Sequence, residues 1–166
     1  MMKHKTLLFI PVMLFMCFGA FAQEKIGYVD IKEILNQLPE RKQAQLELER
    51  YVDELGNDFQ AMKFQYDQKI EEYTHLPENA SAAVKENMES QIMQMDERMN
   101  NFQRQSQELL DDKELALLTP INDMVMATIE KVAKKNGYVH VFDTGTTLVY
   151  PKETEFTRLV LKEFGL

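Results

Sequence analysis

Two 26-residue stretches decide the fold: LERYVDELGNDFQAMKFQYDQKIEEY at residues 48–73 and VKENMESQIMQMDERMNNFQRQSQEL at residues 84–109. In each, apolar residues recur at alternating steps of three and four, the spacing of a helix that packs along a partner helix. The steps follow nearly the reverse order in the second stretch, and each contains one additional step of four. An antiparallel pairing therefore predicts eight apolar layers, from Tyr73 opposite Val84 at one end to Leu48 opposite Leu109 at the other.

A break in the periodicity at Pro77 separates the two stretches. Proline removes a helix hydrogen bond and disfavours helical geometry in the residue before it, so we expect the first helix to end here. Asn79 or Ser81 is placed to cap the second helix. We predict a helical-hairpin arm over residues 46–111, about 50 to 60 Å long, with its tip near residues 76–81.

The chain on either side of the arm predicts a small body, formed by residues 23–45 and 112–166. The fold class is therefore α+β, with a long antiparallel coiled-coil hairpin projecting from a β-containing body. A body of this size gains buried area most readily by association. The predicted elements of the body are a strand at 25–29, a short helix capped by Asp30 and Glu33, a helix that restarts at Thr119-Pro120 and ends at Asn136-Gly137, a β-hairpin of 138–143 with 146–150, and a final amphipathic helix carrying Phe156, Leu159, Val160 and Phe164.

The N-terminal segment is typical of a secretory signal peptide. A short basic stretch precedes an apolar run at residues 7–18, and small residues occupy the −3 and −1 positions of a cut after Ala22. About twelve apolar residues are too few to span a bilayer, which needs roughly 20. We therefore expect residues 1–22 to be removed and the product to be periplasmic. A lipid-modified Cys17 is the alternative, but a bulky methionine precedes it.

The composition argues against several classes of function. The formal net charge is −8 and becomes −10 once Lys3 and Lys5 are removed with the signal peptide. Nucleic-acid affinity depends on Lys and Arg that neutralise phosphates, so an acidic chain is a poor candidate. Cys17 is the single cysteine, and its removal leaves no thiol or disulfide chemistry. No later apolar segment approaches the length of a membrane span.

The residues of the mature chain do not assemble into a recognisable catalytic pattern. His75 and His140 are its two histidines, and no phosphate-binding loop, nucleophile elbow or zinc-protease motif is present. His75 with Glu78 is the nearest approach to a metal pair, and an exposed polar tip explains both. We predict no enzyme activity, no cofactor and no metal.

Most apolar residues of the arms are used by the predicted helix-to-helix seam, including four of the five arm methionines. Phe64 and Met93 fall outside the seam, as do Leu46 and Leu110 nearer the body. Apolar side chains without an intramolecular role are candidates for contact with a partner. These four residues are the predicted partner-binding set.

The segments KIGYVD at 25–30 and IEKVAKKNGYVHVFD at 129–143, together with the signal peptide and the helical hairpin, resemble the Skp/OmpH family of periplasmic chaperones. The resemblance implies a homotrimer whose hairpins surround a cavity. It also implies an ATP-independent holdase that binds unfolded outer-membrane β-barrel proteins and prevents their aggregation. The residues expected to mediate oligomerisation are Ile26, Tyr28, Val29, Val139, Val141 and Leu148.

The sequence departs from this family in its charge. The best-known members have basic arms, whereas the arms predicted here are rich in Asp and Glu. We therefore carry over no lipopolysaccharide site. A structural or adaptor protein of the cell envelope, docking a single folded partner through the rod, remains the alternative function.

Overall fold

The computed structural model describes residues 24–166, so the signal peptide predicted for residues 1–22 lies outside the described residues. Two long antiparallel helices form a hairpin that rises from a small body, which confirms the predicted fold class. The elements are β1 (Lys25–Val29), α1 (Ile31–Gln37), α2 (Pro39–Thr74), α3 (Ala82–Lys135), β2 (Tyr138–Asp143) and α4 (Thr157–Glu163), with 3₁₀ turns at Thr144–Thr146 and Lys152–Thr154.

The helix ends form as their sequences predict. Asp30 caps α1, its carboxylate accepting a hydrogen bond from the Glu33 amide at 2.8 Å. Ser81 caps α3 by accepting from the Val84 amide at 3.4 Å, which resolves the choice between Ser81 and Asn79. After α3, Gly137 adopts a positive φ of 73°, a conformation that costs glycine little.

The predicted helix restart at Pro120 is wrong, because α3 runs without interruption from Ala82 to Lys135. Proline lacks the amide that would bond to the carbonyl of Ala116, so one bond of the helix is lost there. Packing of both flanking segments compensates, since Leu117 and Leu118 lie half-buried before Pro120 and Ile121 is buried after it. Helix α3 therefore belongs to the arm and to the body at once.

The predicted β-hairpin of residues 138–143 and 146–150 is also wrong. Strand β2 instead pairs in parallel with β1, in the register Ile26 to His140 and Tyr28 to Phe142. The residues after β2 form a 3₁₀ turn at Thr144–Thr146 and then an irregular segment. The sheet is thus built from segments far apart in the sequence, and the β-rich composition of residues 146–150 does not lead to a strand in the described chain.

The buried core lies in the body, where α1, α3, α4 and the inner face of the sheet meet. Phe156 is at its centre, stacked on Tyr138 at 4.7 Å between ring centroids. Gly27 faces this stack so closely that an added Cβ would lie 2.6 Å from Phe156 Cε1. The buried apolar residues are Val29, Ile34, Leu38, Ala44, Ile121, Val125, Ile129, Val132, Ala133, Phe156, Val160 and Leu161.

The register of the two arms differs from the predicted one by about a helical turn. Tyr73 donates a hydrogen bond to Glu89 and not to a residue beside Val84. Lys113 pairs with Glu47 at 2.5 Å, and a small cleft between the arms is lined by Met62 with Met95 and Met99. These contacts displace α3 toward the tip by three to five residues relative to the predicted pairing.

The shift changes which residues form the seam near the body. Leu110 and Tyr51 lie half-buried, whereas Val52 and Leu109, both assigned to the seam, are exposed. From Tyr66 to Tyr51 and from Met95 to Leu110 the half-buried positions follow the same steps of four, three, four and four, so one register suits this part of the hairpin. In order from the tip, facing positions are Tyr66 and Met95, Met62 and Met99, Phe59 and Phe102, Leu55 and Ser106, Tyr51 and Leu110.

Candidate interaction surfaces

Each arm helix presents a stripe opposite its seam, and exposed apolar residues lie on these stripes. On α2 the two apolar residues are Leu46 and Phe64, which are exposed as predicted. On α3 they are Met93, with 70% of its surface exposed, and Leu115, which the sequence prediction omitted. The fourth predicted partner-binding residue, Leu110, is only half-exposed because it lies in the seam.

The body presents a second apolar surface on the outer face of the sheet. Ile26 and Phe142 are exposed there, and Tyr28 lies between Phe142 and Tyr150, with ring centroids 6.0 Å and 5.1 Å away. Val139, at the irregularity where the pairing of β1 and β2 shifts, is exposed as well. We call Ile26, Tyr28, Phe142 and Tyr150 the outer sheet face.

The segment after the sheet extends this surface. Leu148 is fully exposed, and the neighbouring Val149 is 87% exposed. Such a pair of bare aliphatic residues in an irregular segment buries nothing within the protomer. It marks a region that is available to another chain.

Two of the predicted oligomerisation residues, Val29 and Val141, lie on the inner face of the sheet and not on the outer one. Val29 is 1% exposed and belongs to the core of the protomer, so its side chain has no free surface for contact with another chain. Val141 lies half-buried on the same inner face, opposite Gly27 in the register. Alternation along a strand explains the result, because neighbouring residues face opposite sides of a sheet.

The sequence analysis missed Phe142, Val149 and Tyr150 at the body. Phe142 lies two residues beyond His140 on β2, and the period of two along a strand places both side chains on the outer face. Val149 and Tyr150 carried no such signal, because their positions depend on residues 146–150 not forming a strand. Leu115 lies between the half-buried Lys113 and Leu117 and faces away from them.

The net charge is concentrated in the arms. Residues 46–111 contain fifteen Asp and Glu against six Lys and Arg, a net charge of −9. Residues 23–45 and 112–166 contain twelve against eleven, a net charge of −1. The body is thus nearly neutral, and the arms carry almost all of the net charge.

One ion pair bridges the two arms near the body. The half-buried Lys113 ammonium reaches Glu47 at 2.5 Å and lies 5.8 Å from the centre of the Tyr51 ring. The hydrogen bond and charge of Lys113 lower the pKa of Glu47 below its ordinary value. At the opposite end of the arm, the hydrogen bond from Tyr73 to Glu89 raises the pKa of the tyrosine. These polar contacts across the hairpin help set its register.

The described residues contain no group of three or more His, Cys, Asp and Glu side chains placed to hold a metal ion. His75 bonds to the Glu71 carbonyl of its own helix at 2.9 Å, and His140 lies 3.2 Å from Glu24. Between residues 24 and 166, no helix combines the length and the apolar character that a membrane crossing requires. In the described chain, the candidate features for interaction are the exposed apolar surfaces and the negative charge of the arms.

Comparison with known proteins places these features in context. Residues 25–164 match the model of a family described as outer membrane protein (OmpH-like). The chain is 26% identical over 148 residues to the chaperone protein Skp of Photorhabdus laumondii, covering 87% of this chain and 88% of that protein. It is 25% identical to the chaperone protein Skp of Pectobacterium atrosepticum, covering 86% of each.

The fold has a counterpart among solved structures. A Caulobacter crescentus protein described as an OmpH-like outer membrane chaperone superposes with a TM-score of 0.72, covering 86% of this chain and 84% of that one. The two sequences are only 11% identical, so this similarity concerns the fold.

Proposed function

The chain belongs to the OmpH-like family, and on that premise we propose that it is a periplasmic chaperone for unfolded outer-membrane proteins. It binds these chains before they reach the membrane and prevents their aggregation. The observation that carries the proposal is the family match over residues 25–164, joined to a hairpin that projects from its body with apolar side chains exposed along it. Unfolded barrel strands have unpaired edges and apolar faces, and contact with the chaperone would keep them from associating with one another.

The action we propose needs no nucleotide. The sequence contains no G-x-x-x-x-G-K-[ST] loop that would cradle phosphates. A holdase needs only exposed binding surface and a shape that isolates its client. The partner-binding residues proposed for the arms are Leu46, Phe64 and Met93, with Leu110 as the half-buried member of the predicted set.

We further propose that the body assembles into a homotrimer. A sheet of two strands is marginal by itself, and parallel strands are usually covered on both faces. Here Ile26 and Phe142 on the outer sheet face stay exposed, with Leu148 and Val149 exposed beside them. Ile26, Tyr28, Val139 and Leu148 are the predicted contact residues that have surface available for this role, while Val29 and Val141 support the sheet from inside. The number three comes from the family resemblance.

The chaperone proposal is tested by diluting a urea-unfolded outer-membrane barrel protein into buffer with the purified mature chain. We expect light scattering from aggregates to fall as the chain is added at low micromolar concentration, with and without ATP. An unrelated acidic helical-hairpin protein at equal mass is the control. Unchanged aggregation of several barrel proteins would contradict the proposal, and recovery of one stoichiometric folded partner from periplasm would favour the adaptor function.

The assembly proposal has its own test in the mass of the particle. Multi-angle light scattering of the wild-type chain should give three times the chain mass, and Leu148→Glu with Val149→Glu should shift the mass toward the monomer. The matched substitutions Gln60→Glu and Gln103→Glu on the arms should leave the particle mass unchanged. A wild-type monomer across micromolar concentrations would contradict the trimer.

The periplasmic location is tested at the N-terminus of the exported product. Expression of the full chain followed by osmotic release should recover a protein that begins at Gln23. A product that retains residues 1–22, or one that carries lipid on Cys17, would contradict cleavage after Ala22.

A further inference from the structure

The outer stripe of α3 combines exposed apolar residues with carboxylates. It is the segment from Met93 to Leu115 of the residues that lie two positions before each seam residue, and hence lies opposite the seam. Its exposed members are Met93, Glu97, Asn100, Arg104, Glu108, Asp111 and Leu115, with Asp96 and Asp112 beside it.

The two apolar residues of this stripe each have two carboxylates close by. Asp96 and Glu97 follow Met93 by three and four residues, and Asp111 and Asp112 precede Leu115 by four and three. Side chains at these separations are neighbours on a helix surface, about 5 to 6 Å apart at Cβ. All four carboxylates are exposed. Met93 and Leu115 are therefore apolar contact points with two negative charges beside each.

The chemistry of this pattern selects its ligand. An acidic segment would bring like charges together, which opposes binding. A segment in which apolar residues alternate with Lys or Arg would place its apolar side chains on Met93 or Leu115 and its cations on the flanking carboxylates. The long aliphatic stems of Lys and Arg add apolar contact of their own.

The location of the net charge favours the same ligand at longer range. The arms carry a net charge of −9 and the body −1, so an approaching cationic chain is attracted to the arms and not to the body. At physiological salt the Debye length is about 8 Å, which is enough for this field to act on a chain near the helix surface.

We infer that the outer stripe of α3 binds unfolded segments in which apolar residues alternate with Lys or Arg, so that the protein prefers positively charged clients. This inference rests on the proposed chaperone function. It assigns a client class by charge, and it assigns the discrimination to Asp96, Glu97, Asp111 and Asp112.

The test compares two forms of one fluorescently labelled, urea-unfolded barrel protein: the unmodified chain and the same chain with its lysines acetylated. Acetylation removes positive charge but makes the chain more apolar, so a purely apolar surface would bind the acetylated form more tightly. We expect the unmodified form to bind about fivefold more tightly at about 50 mM salt, and the difference to vanish at about 500 mM, where charges are screened.

Two pairs of substitutions locate the effect. Asp96→Asn with Glu97→Gln keeps side-chain size and removes two charges from the stripe; we expect it to reduce the preference about two- to threefold, as loss of steering charges does. Asp123→Asn with Glu153→Gln removes two exposed charges from the body and should leave the preference unchanged. Met93→Gln should weaken binding of both client forms alike. Circular dichroism confirms that each variant is folded.

The outcomes separate this inference from the function on which it rests. Equal binding of the two client forms, or tighter binding of the acetylated form, overturns the charge preference and leaves the chaperone function standing. Equal effects of the arm and body substitutions overturn the assignment to the stripe. Binding of neither form contradicts the chaperone function itself.

Discussion

The body and the arms are stabilised in different ways. In the body, residues from α1, α3, α4 and the sheet enclose a core whose members are almost completely buried. In the arms, each seam residue is covered by one neighbouring helix and stays half-exposed. The body is thus held by a few residues that each contribute much, and the arms by many layers that each contribute little. The division matters for the chaperone function proposed above, since a surface that is to meet unfolded chains cannot bury its apolar residues deeply.

The largest expected effect comes from replacing one leucine by alanine in each region. Leu38 is 1% exposed in the body, and Leu38→Ala should lower the free energy of unfolding by about 2 to 5 kcal/mol, because a cavity remains in a closed core. Leu55 is half-buried in the arm seam, and Leu55→Ala should lower it by about 1 kcal/mol. Denaturant unfolding at one fixed protein concentration measures both. Equal losses would refute the contrast.

Two buried hydroxyl groups extend the comparison to polar contacts. Thr157 in the body accepts from the Asp30 amide at 2.9 Å and donates to Glu155 at 2.9 Å. Thr157→Val leaves the amide without its partner and should cost about 1 to 3 kcal/mol. Ser106 in the arm seam has a buried hydroxyl without a hydrogen-bond partner within residues 24–166, so Ser106→Ala should be neutral or stabilising. A large loss at Ser106 would contradict this.

Two glycines provide a third comparison, in which the expected changes have opposite signs. An added Cβ at Gly27 would lie 2.6 Å from Phe156 and 2.8 Å from Tyr138, so Gly27→Ala should destabilise the body by about 1 to 3 kcal/mol. Gly56 lies within α2 with no atom within 4 Å of an added Cβ. Gly56→Ala should stabilise the arm by about 0.5 to 1 kcal/mol. Thermal melts of both variants decide the signs.

The smallest effect concerns the ion pair between the arms. Lys113 lowers the pKa of Glu47, so the pair stabilises the fold above the ordinary glutamate value of 4.5 and loses that stabilisation as the pH falls and the carboxylate is protonated. Glu47→Gln should lower the melting temperature slightly at neutral pH and have no effect in acid. Glu49→Gln, on the exposed side of the same helix, is the control. A pH-independent difference would argue against the pair.

The hairpin and the helix ends could be predicted because their signals are local. Periodic apolar residues, Pro77, Ser81 and Gly137 act on the backbone within a few positions. The register could not be fixed in this way. Two stretches with nearly repeating steps of three and four fit each other at several offsets, and the choice depends on contacts such as Lys113 with Glu47, between residues far apart in the sequence.

The prediction of the sheet was wrong for a related reason. Residues 146–150 have the composition of a strand, but a strand needs a partner edge, and β1, more than one hundred residues earlier in the sequence, pairs with β2 instead. The exposed residues of the arms were easier to predict, since Phe64 and Met93 do not match the period of the seam. Leu110 was misassigned for the same reason as the register, because an error of one turn moves a residue from the outside to the seam.

The pairing of β1 with β2 also bears on the order in which the protein folds. These strands are separated by more than one hundred residues, and the Phe156 amide closes onto the Tyr28 carbonyl at 2.9 Å. A chain that emerges N-terminus first can build its helical hairpin from neighbouring residues while synthesis or export is under way. Its body must wait until the last residues have arrived. We therefore expect the arms to form from local contacts before the body closes, with β1 unpaired during that interval.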